Sequence, residues 1–273
     1  MSKLKHTFKT DILFKLLFVK NPELLQRLVA HLLRIQFESI SQFEVRNPEM
    51  PPDSIDKKFC RLDIHMIVNG QLVNLEVQVE NEYDYPERVL YHWARVYSSS
   101  LSKGKDYSDL PRTIIISILD FTLFDSKEFH SEFKPLEVTR YTPLTDRMVL
   151  HFFELSKLPV NISSNDMLLL WLALFKADTE EELQRINRMG VPELSEAVSA
   201  YHRVMTSNEL KEMERLNELA GYNETAALRN AEQRGEKRAN AKWKGVVTEK
   251  DAALSAKDAE IAELKLKLAE QSK

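Results

Sequence analysis

Two carboxylates, Asp63 and Glu76, stand in the stretch FCRLDIHMIVNGQLVNLEVQVEN, residues 59–81, each flanked by apolar residues. Between them lies Asn69-Gly70, the strongest short-range signal for a two-residue type I′ hairpin turn, because both central residues must take positive φ. With that pair as the turn, Val68 faces Gln71, Met66 faces Val73, Ile64 faces Leu75 and Leu62 faces Val77, so one face is apolar. On the other face His65 meets Asn74, Asp63 meets Glu76 and Arg61 meets Gln78. Facing residues in a hairpin hold their Cβ atoms about 4.5–5.5 Å apart, where like charges are destabilising. A shared proton, a neighbouring Arg or Lys, or a divalent cation bound between the oxygens would relieve the repulsion, and such ligands suit magnesium, manganese or calcium. The plain alternative is a solvated polar face with its charges splayed apart, and a register slip of one residue would dissolve the arrangement.

The elements that must position this pair are legible around it. Residues 10–36 read as two helices broken at Asn21-Pro22, with apolar residues at three- and four-residue spacing. After the hairpin a helix is expected from about 85 to 103, then TIIISIL at 113–119, whose unbroken β-branched run predicts a strand buried on both faces. A further strand is expected at 148–155 and helices from about 164 to 219, giving an α/β core with a helical annex. The helix after the hairpin opens on Asp84 with Glu87 at capping-box spacing. Its Val89, Leu90, Trp93 and Val96 predict the buried stripe, and Arg88, Tyr91, His92 and Arg95 share the other surface, where guanidinium groups could meet phosphates or simply face solvent.

A net charge of −4 excludes a uniformly basic nucleic-acid binder, so any DNA contact must use local patches. The opening residues carry no apolar signal core, and MLLLWLALF at 167–175 is far short of a membrane span; one cysteine, Cys60, allows no internal disulfide and no cysteine zinc cage. These features lead us to expect a protein of the reducing cytoplasm, with Cys60 serving packing. After Gly221 the composition shifts. From Arg229 to Lys244 six basic residues (Arg229, Arg234, Lys237, Arg238, Lys242 and Lys244) stand against two acidic ones. Beyond them Val247, Leu254, Ile261 and Leu268 recur seven apart, with Leu264 at a matching d position and lysines, Lys250 and Lys257, at two others. That pattern suits either a short coiled coil that pairs two chains or a solvated single helix.

The order of helix, strand with Asp63, turn, strand with LEVQ at 75–78, helix with ERVLYHWARVYSSSLSKGKDYSDL, then TIIISILDFTLF resembles the PD-(D/E)xK nuclease-like transposases, in particular the Rpn recombination-promoting nucleases. TDILFKLLF near the N-terminus and the later LHFFELSKL extend the resemblance over roughly residues 8–215. It implies a restriction-endonuclease-like core, a mixed β-sheet flanked by helices, and divalent-metal-dependent cleavage of DNA. Carried over residue by residue, Asp63 matches the motif aspartate and Glu76 its second acidic position. Gln78 stands where most of the superfamily has lysine. A glutamine orients a water but supplies no positive charge, which Lys57, Lys58 or Arg88 could provide. The resemblance also places Asp11, on the first helix, around the metal, while a helix N-cap is its plain alternative. His65 is either a partner that supports the ligands or an ordinary polar strand residue.

The expected organisation is a nuclease-like core over residues 1–160, a helical annex over 161–220, a basic linker or helix over 221–246 and a coiled-coil-like helix over 247–273. The expected activity is phosphodiester hydrolysis in DNA, in a transposase-like recombination or defence role, with Mg2+ or alternatively Mn2+ or Ca2+ held by Asp63, Glu76, the Val77 carbonyl and Asp11. Gln78 orients the attacking water, and Arg88, Arg95 and the six basic residues of the tail hold DNA. A non-catalytic DNA-binding or scaffold protein that keeps the fold is the competing reading. A metabolic hydrolase is weaker, because no nucleophile motif, Gly-rich phosphate loop or cofactor fingerprint is present.

Overall fold

The computed structural model describes residues 3–46, 64–101 and 104–271, the last helix with its side chains through 265 apart from Glu224. Asp63, with Cys60, Arg61, Leu62, Lys57 and Lys58, lies outside the described residues, as does the cross-strand meeting of Asp63 with Glu76. Besides three short 3-10 turns, thirteen α-helices and β-strands are described: α1 (Asp11–Lys20), α2 (Pro22–Leu33), β1 (Phe43–Arg46), β2 (Ile64–Val68), β3 (Gln71–Gln78), α3 (Tyr85–Ser99), β4 (Thr113–Leu119), β5 (His130–Phe133), β6 (Met148–Glu154), α4 (Met167–Lys176), α5 (Glu180–Asn187), α6 (Pro192–Met205) and α7 (Asn208–Gln271).

The strands form one mixed sheet in the order β1-β2-β3-β4-β6-β5, parallel where β3 meets β4 and β4 meets β6, and antiparallel elsewhere. The β2–β3 turn is the one expected: Asn69 has φ 49° and Gly70 φ 76°, and His65 pairs with Asn74 and Ile64 with Leu75. Asparagine also serves a second purpose there. Its Oδ1 accepts from the Ser41 and Gln42 amides at 2.9 and 3.1 Å and its Nδ2 donates to the Ser39 carbonyl at 2.9 Å, tying the hairpin tip to the chain entering β1.

Alternation along the strands divides the interior into two clusters. Val73, Leu75 and Val77 of β3 and Ile114, Ile116 and Ile118 of β4 join α1, α2 and α4–α6 in the larger one. Ile115 and Leu119 of β4 and Leu150 and Phe152 of β6 join Tyr85 and Val89 of α3 in the smaller. Every residue of β4 is therefore buried, as its β-branched run predicts. The helices after residue 160 bury Trp171, Phe175, Leu183 and Tyr201 in the same cluster as α1 and α2.

Helix α3 differs in phase from its expected stripe. Tyr85 and Val89 are buried and Trp93 packs beside them, whereas Leu90 is 46% exposed. Four-residue steps from Tyr85 set the inward face, and the Trp93 indole fixes its far end by donating to the Thr113 carbonyl at 3.0 Å. The chain divides into two compact units, Met1–Glu214 and Arg215–Lys273, and α7 runs without a break through residues 221 and 247.

Candidate functional site

Glu76 lies on β3, on the sheet face that carries α3, and is only 7% exposed. A carboxylate taken that far from water is costly unless donors replace the lost hydration. Two hydroxyls do so at the same oxygen. The parallel register sets Ser117 of β4 beside Glu76, and its Oγ donates to Glu76 Oε1 at 2.9 Å. The hydroxyl of Tyr85, the first residue of α3, donates to the same Oε1. Phe121 and Phe152 hold the Tyr85 ring by edge-on contacts at 6.0 and 6.4 Å, so the donor is fixed by packing as well as by its bond. Hydrogen bonds to a charged group contribute roughly 1.5–3 kcal/mol each, enough for two to offset much of the desolvation of one carboxylate.

Arg88 extends this arrangement outward. Its guanidinium sits over the Tyr85 ring at 4.9 Å from the centroid and pairs with Glu82, with the side chain 13% exposed. Arg95, two turns along α3, is exposed, so the two arginines expected on one surface occupy different environments.

Asn74, two residues before Glu76 on the same face, is 2% exposed, and neither Oδ1 nor Nδ2 finds a hydrogen-bond partner among the described residues. Opposite it, His65 is held below the ordinary imidazole range. Burial is the main cause, the Glu76 charge opposes it, and the Lys15 charge adds to it. Burial thus disfavours the charged imidazolium of His65.

Gln78 ends β3. Its Nε2 donates to the Glu80 carbonyl at 3.1 Å, and its backbone carbonyl accepts from the Asp120 amide at 3.0 Å. Val77 is buried with its side chain in the larger cluster. Asp11 is the first residue of α1, with Thr10 as the N-cap, so the cap alternative falls to its neighbour. Lys15 Nζ stands 3.3 Å from Asp11 Oδ1, an ion pair without hydrogen-bond geometry. Arg229, Arg234, Lys237, Arg238, Lys242 and Lys244 are all exposed on α7.

The structure thus brings together Glu76, Tyr85, Ser117 and, through the tyrosine ring, Arg88, and it sets His65 within electrostatic reach of Glu76 and Lys15. It gathers no group of three or more His, Cys, Asp or Glu side chains able to hold a metal among the described residues. The donors at this end of β3 are oxygens, the kind a hard divalent cation takes, and the hydroxyls hold the Glu76 carboxylate in one orientation; to that extent the residues fit such an ion. Tyr85 and Ser117 were not anticipated. A lone hydroxyl in the middle of TIIISIL, a run that is otherwise β-branched or leucine after its first residue, was the available signal.

A family model described as PD-(D/E)XK nuclease family transposase matches residues 8–231, which takes in the whole sheet, α1–α6 and the beginning of α7. Nothing among curated proteins or solved structures matches the chain.

Proposed function

The chain belongs to the PD-(D/E)XK nuclease family transposases, and from that premise we propose that it is a divalent-metal-dependent DNA endonuclease acting in recombination or defence, in the manner of the Rpn branch. The observation that carries this reading is the Glu76 carboxylate, buried at the acidic position of LEVQ with two hydroxyls fixing one of its oxygens. Such burial suits a ligand better than a surface charge. Mg2+, or Mn2+ or Ca2+ in its place, would be held by Glu76, Asp63, the Val77 carbonyl and Asp11. When bound, it would polarise the phosphodiester and lower the pKa of a coordinated water.

The chain's own residues do the rest. Tyr85 and Ser117 keep the Glu76 carboxylate aimed. Gln78 orients water through its amide oxygen, its nitrogen being engaged by the Glu80 carbonyl. Lys15, beside Asp11 on the first helix, joins Arg88 as a source of the positive charge that Gln78 lacks. Arg95 and the basic residues of α7 take DNA phosphates without reading bases. Two chains associate through α7. We assign the protein to the cytoplasm on its single cysteine; no helix among the described residues is long and apolar enough to cross a membrane.

The Gln78 amide, bonded to its own turn, also favours a second reading, a scaffold that keeps the nuclease fold and binds DNA with little or no cleavage. Supercoiled plasmid incubated with the protein and Mg2+, Mn2+ or Ca2+ separates the two. Nicking that needs metal and disappears in Glu76→Gln supports the nuclease. Metal-independent retention of plasmid with no nicking supports the scaffold.

A further inference from the structure

Helix α7 carries an uncovered stripe. Trp243, Val247, Leu254, Ile261 and Leu264 are each between 49% and 66% exposed. With Val247, Leu254 and Ile261 at a, the same heptad frame runs back along the unbroken helix and places Asn240 at a, Trp243 at d and Leu264 at d. Earlier still the frame crosses Glu236, Gln233, Arg229 and Ala226 before it meets Tyr222 at d and Leu219 at a, which are also exposed. A stripe of this kind gains little as a single helix in water and much against a second helix of the same spacing.

The sequence of the stripe selects the partner and its direction. In an antiparallel pair, a residues meet d residues. Lys250 and Lys257 hold the two d positions between Trp243 and Leu264, so no alignment gives more than one of Val247, Leu254 and Ile261 an apolar d partner. In a parallel pair of identical chains in register, every a residue meets its own copy, and all three layers close at once.

The flanking charges agree. Parallel in-register pairing sets each g residue against the e residue five further along the other helix. That puts Glu232 opposite Lys237 and Glu260 opposite Lys265, and brings no like charges together at any described g–e pair. Asn240 then meets Asn240 in a layer between Glu236 and Trp243 at the flanking d positions, where the two amides can bond to each other only if the helices are two, parallel and aligned. Arg234, Arg238 and Lys242 fall at b, f and c, facing away from the seam and open to phosphates; Arg229, at d, is the member of the basic set that falls on it.

We propose that α7 docks against α7 of a second copy of this chain as a parallel, in-register, two-stranded coiled coil whose register is set by Asn240. This rests on the reading that two chains associate through the last helix, and it adds their direction, alignment and the residue that fixes them. Charged residues at four d positions, Arg229, Glu236, Lys250 and Lys257, each meet their own copy and weaken the seam, so the dimer is concentration-dependent.

The test uses the full chain carrying Cys60→Ser, with either Leu254→Cys at a or Ser255→Cys at the outward b position, oxidised in air and run without reductant. Sedimentation equilibrium across a hundredfold concentration range accompanies it. The expected result is a dimer in sedimentation and a disulfide-linked dimer from Leu254→Cys at least tenfold more abundant than from Ser255→Cys. A dimeric mass with no such preference overturns the parallel register while leaving self-association standing. A monomeric mass throughout overturns both. Asn240→Leu should keep the helix and broaden the mass distribution beyond the dimer. If that variant remains a pure dimer with the same cross-link, the role assigned to Asn240 is wrong.

Discussion

On the sheet face covered by α1, α2 and α4–α6, β3 and β4 present Val73, Leu75, Val77, Ile114, Ile116 and Ile118, and the helices answer with aromatic rings such as Phe18 stacked on Phe175 at 6.1 Å. On the face covered by α3, the alternate residues of the same strands are Asn74, Glu76, Ile115 and Ser117, and the answering helix brings Tyr85. One set of strands therefore builds a core on one side and a polar site, walled by a smaller apolar cluster, on the other. Because side chains alternate, the two faces can change independently, and stability can be carried on one while burial is spent on chemistry on the other.

The largest expected effect lies on the α3 face. Glu76→Gln keeps an oxygen to accept from Tyr85 and Ser117 but removes the charge. Metal-dependent nicking should therefore fall by more than the 10–100-fold typical of losing a residue that supports a ligand, while the melting temperature stays close to that of the parent. Plasmid nicking and thermal melting on one preparation decide this, and a variant that unfolds would make Glu76 structural. The reciprocal substitution is Phe18→Ala on the opposite face. Phe18 is fully buried, so its loss should cost about 3–5 kcal/mol in chemical denaturation, with nicking per folded molecule unchanged.

Next in size is a pH effect at the rim of the larger core. His151 Nδ1 lies 3.0 Å from His130 Nε2, and its pKa is lowered from 6.5 to about 4. Burial is the main cause; Glu132 opposes it, and His130, Lys134 and Arg112 add to it. Because the folded pKa lies below the unfolded one, the unfolded chain takes up the extra proton between these values. Stability is then full above about pH 6.5 and declines as pH falls toward about 4. At roughly 1.4 kcal/mol per unit, the decline attributable to His151 is about 3 kcal/mol, and His151→Phe should flatten it. Denaturation midpoints that vary equally with pH in both proteins would remove His151 from the account.

The contrast between the faces also explains how much the sequence revealed. The hairpin register, the break at Asn21-Pro22 and the buried strand at 113–119 were legible because turn chemistry and local periodicity specify them. Strands β1 and β5 were not: FEVR and HSEF are four residues long and flank the sheet, and although Phe43 and Val45 alternate with Glu44 and Arg46 the run is too short to specify a strand, while HSEF has no alternation. Glu76 stood out by its type among apolar neighbours. Tyr85 and Ser117 did not, because the first reaches Glu76 through the placement of α3 and the second through the parallel pairing of β3 with β4, and neither relation is encoded within a single element. Leu90 faces outward for a related reason, since the phase of α3 is set by Tyr85, whose ring packs against Phe121 and Phe152 while its hydroxyl bonds Glu76.

The smallest expected effect separates two residues that donate to one oxygen. Tyr85→Phe keeps the ring among Phe121 and Phe152 and removes only the hydroxyl, and Ser117→Ala removes the other donor from the strand side. If both merely satisfy a buried charge, each should lower stability by a similar amount, about 1–3 kcal/mol, and leave metal binding alone. If they aim the carboxylate, metal affinity should fall about 10–100-fold, with saturating metal restoring most of the nicking rate. Calorimetric titration with Mn2+ reads that affinity without relying on turnover. Tyr85 should be the more sensitive of the two, because its hydroxyl is brought in by a separate element, whereas Ser117 is locked in the neighbouring strand. Equal affinities for the parent and both variants would reduce the hydroxyl pair to ordinary satisfaction of a buried group, and the α3 face would then differ from its opposite in polarity alone.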